Sequence, residues 1–149
     1  MKARAFLTIA AGVYLIYGCW YFFFPQAVAS IYGFGAIANP VTNAFTQFLG
    51  IFCLASAVLS AISSRAEAAS GRAGALAFLA ILGLLSAYLD VRALLNSPGT
   101  MDYVDTALNA LIGFSALYFF IQDRGQRSRA DSQRIAAIGH KMAKRPGDG

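Results

Sequence analysis

The side chains able to do chemistry are few, and most stand inside or beside apolar runs. Asp90 and Arg92 fall near the end of one run, Asp102, Asp105 and Asn109 open the next, and Asn43 and Gln47 open an earlier one. Two carboxylates held close together can do acid–base work, and an ionisable group within a lipid-covered helix faces the bundle interior, water or a partner charge. Arg92 is the one cation toward this end of the chain's apolar runs, so an ion pair from Arg92 to Asp102 or Asp105 is expected. Separated charges in lipid cost more than paired ones. The cluster reads as a clamp that fixes helix register, as an outward-opening polar pocket for a small ligand, or as a proton- or ion-handling site.

Nothing completes a catalytic set around these carboxylates. The sole histidine, His140, lies near the C-terminal end, and there is no CxxC, no His pair and no metal-ligand spacing. No catalytic residue, metal ligand or cofactor is assigned. Tyr14, Tyr17 and Tyr21 recur at helical spacing and, with Gly18, can line one wall of the same pocket. Packing or an interfacial aromatic belt is the commoner use of such a stripe.

What positions these residues is a chain made for lipid. From Ala5 to Ser64 there is no Lys, Arg, Asp or Glu. A water-soluble surface needs charge, and a bilayer rewards its absence. Hydrophobic residues make up 58% of the 149 residues and the mean hydropathy is +0.57, more apolar surface than a domain this size buries in itself. The net charge of +5 does not point to nucleic acid, because seven of the twelve basic residues follow Ile121. The first run, residues 5–24, exceeds a signal-peptide core of roughly 7–15 residues and ends in five aromatics, not a cleavage site, so it reads as a retained anchor.

Four spans follow from length and composition: about 5–24, 41–63, 73–95 and 104–122. Pro25 stops the first and Pro40 opens the second. The uncharged connection 25–40 is expected to lie against the headgroups or fold back over the bundle, with Ala27, Val28 and Ile31 in one short turn. The joint at 96–100 is a turn by composition. Short joints predict an all-α, antiparallel, up-down-up-down four-helix transmembrane bundle. Lys2, Arg4, Arg65, Arg72 and the basic residues of the tail 123–149 then fall on one side, which places both termini in the cytoplasm. In that tail Ile135, Ile138 and Met142 are spaced for a short helix on anionic lipid, the alternative being a solvated tail.

Small residues fix the expected rotation of the spans, because they let helix backbones approach in lipid. Gly50, Cys53, Ala57 and Ala61 form one seam, whose backward extension reaches Gln47 and Asn43. A second seam runs Ala73, Ala77, Ala80, Gly83, Ala87 and on to Asp90, and a third from Ala116 and Gly113 to Asn109, Asp105 and Asp102. Cys19 and Cys53 read as small packing residues, not as a disulfide. If the seams face one another, the polar groups converge beneath the outward loops.

With a first span ending at Pro25, an outer segment Ile31-Tyr32-Gly33-Phe34-Gly35, and Gln47-Phe48-Leu49-Gly50 early in the second span, the chain resembles the small bacterial four-span proteins of the DoxX-like superfamily over residues 5–122. The resemblance implies a bacterial inner-membrane location and, since some relatives are subunits of quinone-linked oxidoreductases, a membrane-protein partner. The first two spans carry no acidic residue and the chain no redox residues, so no catalytic role carries over. The four-span EXPERA group, which binds sterol-like ligands, is similar in architecture, with Asp90 and Asp105 as counterparts of its carboxylates. The expectation is an accessory or interaction subunit of a membrane complex, or a homo-oligomer. The alternative is a binder or enzyme for a small hydrophobic, quinone-like or lipid-like ligand; a transporter component is a third reading.

Overall fold

The computed structural model describes residues 2–32, 40–67, 69–96 and 100–143, and among them it is helical throughout, without strands. Five helices follow in order: α1 Ala3–Phe23, α2 Pro25–Ile31, α3 Pro40–Arg65, α4 Ala69–Asn96 and α5 Thr100–Ala143. Four of them, α1, α3, α4 and α5, are long and apolar enough to cross a membrane, the organisation of a multi-pass membrane protein. Their outer faces suit lipid: Ile16, Val41, Leu85, Leu111 and Phe114 are all more than half exposed.

Proline sets two of the helix starts. Pro25 occupies the first turn of α2, where its missing N–H is no loss and its fixed φ already suits a helix. Phe24 alone separates α1 from α2; its N–H donates to Trp20 O at 2.9 Å, and its own carbonyl accepts from Val28 N at 3.1 Å. The expected single turn after Pro25 is thus a seven-residue helix, which buries Val28 and Ala29 and leaves Ile31 exposed. Pro40 opens α3. Gly33 and Gly35, and the turn residues 97–99, lie outside the described residues.

The closest helix pairings are α1 with α3 and α4 with α5. Glycine makes both possible. A Cβ on Gly50 would stand 2.7 Å from Phe22 N, and one on Gly18 would stand 2.7 Å from Leu54 Cγ. A Cβ on Gly83 would come within 2.7 Å of three backbone atoms of α5, on Asn109 and Gly113. The two pairs meet through side chains: Leu7, Leu76 and Leu79 are sealed, Phe6 packs on Phe119 with ring centroids 5.4 Å apart, and Phe52 on Phe78 at 6.0 Å.

Charge closes one end of the bundle. Arg72 Nε lies 3.3 Å from Asp123 Oδ2, with both side chains nearly buried. Arg72 Nη1 donates to the Ala66 and Glu67 carbonyls at 2.9 and 3.1 Å, and Arg4 Nη2 reaches the same Ala66 carbonyl at 3.2 Å. Two guanidinium groups therefore satisfy carbonyls left open where α3 ends.

The helix that carries the fourth span runs past Gln122. Helix α5 continues without a break for 44 residues, so the segment read as a separate surface helix or a solvated tail is its continuation to Ala143. The sequence there is rich in Arg, Gln and Ala, good helix formers, and holds no proline before Pro146. Arg124 folds back over the Phe120 ring at 4.6 Å, a cation–π contact just past the apolar stretch.

Candidate ligand cavity

Opposite the Arg72–Asp123 end, the two helix pairs do not close on each other. An inner cavity of about 350 Å³ lies among α1, α3, α4 and α5. From α1 it takes Tyr14, Tyr17 and Tyr21, which share a face because residues three and four apart are helix neighbours. Helix α4 adds Leu82, Ser86 and Asp90 at steps of four, and α5 adds Asp105, Asn109 and Ile112. Leu49, Phe52 and Cys53 come from α3. The lining is therefore apolar on most sides, with its carboxylates gathered at one end.

A second, outer cavity of about 600 Å³ adjoins the first. The two share Tyr21, Leu49, Asp90 and Asp105. The outer one is otherwise built from α2 (Val28, Ala29 and Tyr32) and the first two turns of α3 (Val41, Thr42, Phe45 and Thr46). Thr46 spends its hydroxyl on its own helix, donating to the Thr42 carbonyl at 2.9 Å, which leaves its methyl for the lining.

Asp105 sits at the junction. Its Oδ1 accepts from the Tyr17 hydroxyl at 3.3 Å, and its Oδ2 accepts from the Tyr32 hydroxyl. Tyr32 also lies 2.8 Å from the Tyr21 hydroxyl. A phenol has one proton. Since Tyr32 gives its proton to Asp105, Tyr21 must donate to Tyr32, and the chain of bonds runs Tyr21 to Tyr32 to Asp105. Burial, and then the bond to the Asp105 carboxylate, hold the Tyr32 phenol far above its ordinary range, so it remains a donor at neutral pH. The rings enclose the same place: Tyr17 and Tyr21 are 5.8 Å apart, and Tyr21 meets Tyr32 nearly edge-on at 6.4 Å.

The second carboxylate is tied to α5 as well. Asn109 Nδ2 donates to Asp90 Oδ2 at 2.9 Å. Deeper in the inner cavity wall, Tyr14 is 7% exposed and its sealed hydroxyl has no hydrogen-bond partner among the described residues. A buried hydroxyl without a partner is costly, and such groups gather at strained or ligand-binding places.

Six of the candidates read from the sequence thus line one cavity: Tyr14, Tyr17, Tyr21, Asp90, Asp105 and Asn109. Asn43 and Gln47 line neither cavity. Gln47 is exposed and its Nε2 donates to the Phe22 carbonyl at 3.3 Å, while Asn43 is half-buried with Oδ1 unpartnered among the described residues. The reason is geometric. Gly50 packs α3 on α1, and Gln47, three residues earlier, reaches α1 beside that contact, whereas α3 lines the cavities through Thr42, Thr46, Leu49 and Cys53. Arg92 is exposed and lines neither cavity. The Asp105 carboxylate accepts from two phenols, and the expected pairing of Arg92 with Asp102 or Asp105 involves the Asp102 side chain, which lies outside the described residues. An ion pair, Arg72–Asp123, stands at the other end.

Tyr32 is the residue that the choice of candidates missed. A signal existed: it lies seven positions after Pro25, about two helical turns, in an uncharged segment that must satisfy its polar groups against the bundle. Cys53 was read as packing, and it does line the inner cavity; neither Cys53 nor Cys19 is in a disulfide. Among the described residues, no group of three or more His, Cys, Asp or Glu is placed to hold a metal ion. The arrangement can accept hydrogen bonds at two carboxylates, offer phenol and thiol groups, and cover an apolar body. Compared with protein-family models, with curated proteins and with solved structures, the chain finds no match.

Proposed function

We propose that the chain binds a small, mainly apolar molecule between its helices, with a hydroxyl or N–H group of that molecule donating to Asp105 or Asp90. One observation carries the reading: Asp105 stands where two cavities meet, its carboxylate steered by Tyr17 and Tyr32 amid apolar walls. Asp105 and Asp90 line both cavities, and a carboxylate is a hydrogen-bond acceptor suited to a hydroxyl or N–H group. Pockets of a few hundred Å³ with apolar walls and a few converging polar groups are the common form of small-molecule sites. The small hydrophobic, quinone-like or lipid-like ligand expected from the convergence of polar groups in the sequence is of this class.

The setting belongs to the same proposal. The four spans run up-down-up-down in a bacterial inner membrane with both termini cytoplasmic. Supporting this order, Arg4 near the start of α1 bonds to Ala66 just past the end of α3, while Phe22 at the other end of α1 meets Gly50. Lys2, Arg4, Arg72 and Asp123 line one small cleft, which gathers the early and middle basic residues on the side that the positive-inside rule makes cytoplasmic.

Purification in nanodiscs followed by native mass spectrometry tests the binding. A co-purifying species present in the wild type and lost from Asp105→Asn, with thermal stability kept, is the expected result. If no bound species accompanies either protein and none of a panel of phenols and ring alcohols binds, the cavity is a packing gap and the reading falls. An accessory-subunit role retains one support of its own, the α5 extension beyond the apolar stretch, with Ile135 71% exposed. A membrane-protein partner captured by the full chain and lost on deleting residues 124–149 would favour it.

A further inference from the structure

The two cavities differ in what they can hold. The inner one is enclosed by four helices and carries the tyrosine stripe, Asn109 and the sealed Tyr14 hydroxyl. The outer one lies under α2 and along the start of α3, where its lining is aliphatic or aromatic apart from the groups at the junction and two threonines. Its α3 wall continues into side chains that face outward: Val41 is 76% and Phe45 61% exposed, on a helix apolar enough to lie in lipid. The outer cavity therefore runs from the carboxylate junction to the lipid-facing surface between α2 and α3.

From this we infer that the ligand is a two-part amphiphile, with a compact hydrogen-bonding head in the inner cavity and an apolar tail that leaves through the outer cavity, between α2 and α3, toward the bilayer. The inference rests on the binding reading above and adds the shape of the ligand and its path. A molecule of head alone would leave about 600 Å³ of apolar space unfilled beside it, and unfilled apolar space forfeits contacts on every wall. Within each helix pair there is no room for a tail: α1 and α3 are locked by Gly18 and Gly50, and α4 and α5 by Gly83 and Gly113. The short helix α2, by contrast, is joined to α1 through one residue, Phe24, and its end is tied to α5 through the Tyr32 hydroxyl. It is the element of the outer wall that is too short to be a span.

The test uses the full chain in nanodiscs of one fixed lipid composition, with phenol as a head-only probe and 4-octylphenol bearing a diazirine at the tail end as the two-part probe. Binding is followed by the fluorescence of Trp20, the chain's single tryptophan, whose ring lies 5.9 Å from Tyr21 and 6.2 Å from Tyr17. Photolysis should label peptides covering 25–32 and 41–49, and excess unlabelled 4-octylphenol should chase that label. Filling the outer cavity with Ala29→Phe should weaken the two-part probe roughly tenfold, a difference of one lost tail contact surface, and leave phenol within about twofold. Because Ala29 is buried, Val41→Phe at an exposed position of the same wall provides a second variant that folds and should shift the labelled residues along α3.

Label spread over all lipid-facing surfaces and not chased, or label confined to α4 and α5, overturns the tail path. Equal weakening of both probes by Ala29→Phe overturns it too. If phenol binds and the tail label fails, the binding reading stands and the two-part ligand falls. If neither probe binds the wild type, both fall.

Discussion

Tyr32, at the end of the shortest helix, donates its hydroxyl proton to Asp105 on the longest, 73 residues further along the chain. That bond is the described polar link between α2 and α5, and Tyr21 donates to its oxygen from α1. Three helices thus meet at one phenol.

Removing that hydroxyl should loosen the junction. Tyr32→Phe is expected to lower unfolding free energy by about 1–2 kcal/mol, since two part-buried bonds are lost and the ring is kept. Tyr21→Phe, which removes one donor from the same chain, should cost less. Thermal or denaturant unfolding in a mild detergent gives both numbers; no loss from Tyr32→Phe would mean that the junction is not closed in solution.

The same residue predicts a pH response. Burial raises the Tyr32 phenol above its ordinary value, so the folded chain keeps a proton that the unfolded chain releases near pH 10. The stability due to this group is complete below about pH 10 and is lost as pH rises further. Unfolding measured from pH 8 to 11 should fall more steeply for the wild type than for Tyr32→Phe. Parallel curves would contradict the assignment.

Glycine substitutions should divide sharply by position. A methyl on Gly83 would meet α5 backbone at 2.7 Å, and one on Gly50 would meet Phe22 N at 2.7 Å, so neither neighbour can rotate away. Gly83→Ala and Gly50→Ala should each destabilise by about 1–3 kcal/mol. Gly74 has nothing within 4 Å, and Gly74→Ala should stabilise α4 by roughly 0.5–1 kcal/mol through helix propensity alone. Melting temperatures of the three variants side by side are the check; a neutral Gly83→Ala would mean that the close approach of α4 and α5 is not present.

At the opposite end, Asp123→Ala should be costly, about 3 kcal/mol, because it leaves the nearly buried Arg72 uncompensated. Combining it with Arg72→Ala should recover part of that loss. A double-mutant cycle measures the coupling, and a coupling of zero would reduce the pair to a surface contact.

Orientation is open to direct measurement. Reporter fusions in the connection after Asn96 and after Gly149 should give opposite signals, outside and cytoplasmic respectively. Identical signals would refute an even number of crossings.

Much of this organisation was legible in the sequence, for physical reasons that act locally. A charge-free run tells lipid from water, so the spans could be read within a few residues at most ends. Small residues at helical steps told which faces approach, and Gly50, Gly83 and Gly113 do lie at backbone contacts. The tyrosine stripe was read from its own helical spacing, and the polar groups Asp90, Asp105 and Asn109 by continuing the small-residue faces. What could not be read was which neighbour each face meets. The Gly50 seam led to Gln47 as though toward a pocket, but that seam serves the contact with α1. Nothing local distinguishes a phenol that crosses to another helix, such as Tyr32, from one in an interfacial belt. Asp123 was counted with the tail because its partner lies 51 residues away on α4. The run of α5 past Gln122 was not readable for another reason: loss of hydropathy marks where a helix leaves lipid, not where it stops.

The pairing of the helices also bears on the order in which the protein is made. The tightest contacts join α1 to α3 and α4 to α5, so each glycine seam lies wholly within one half of the chain. The first half can lock together in the membrane while the second is still on the ribosome. The second can then close on itself by the same backbone fit. What neither half completes is the inner cavity, since Tyr14, Tyr17 and Tyr21 belong to one and Asp90, Asp105 and Asn109 to the other. The inner cavity is therefore complete only while the two halves are docked.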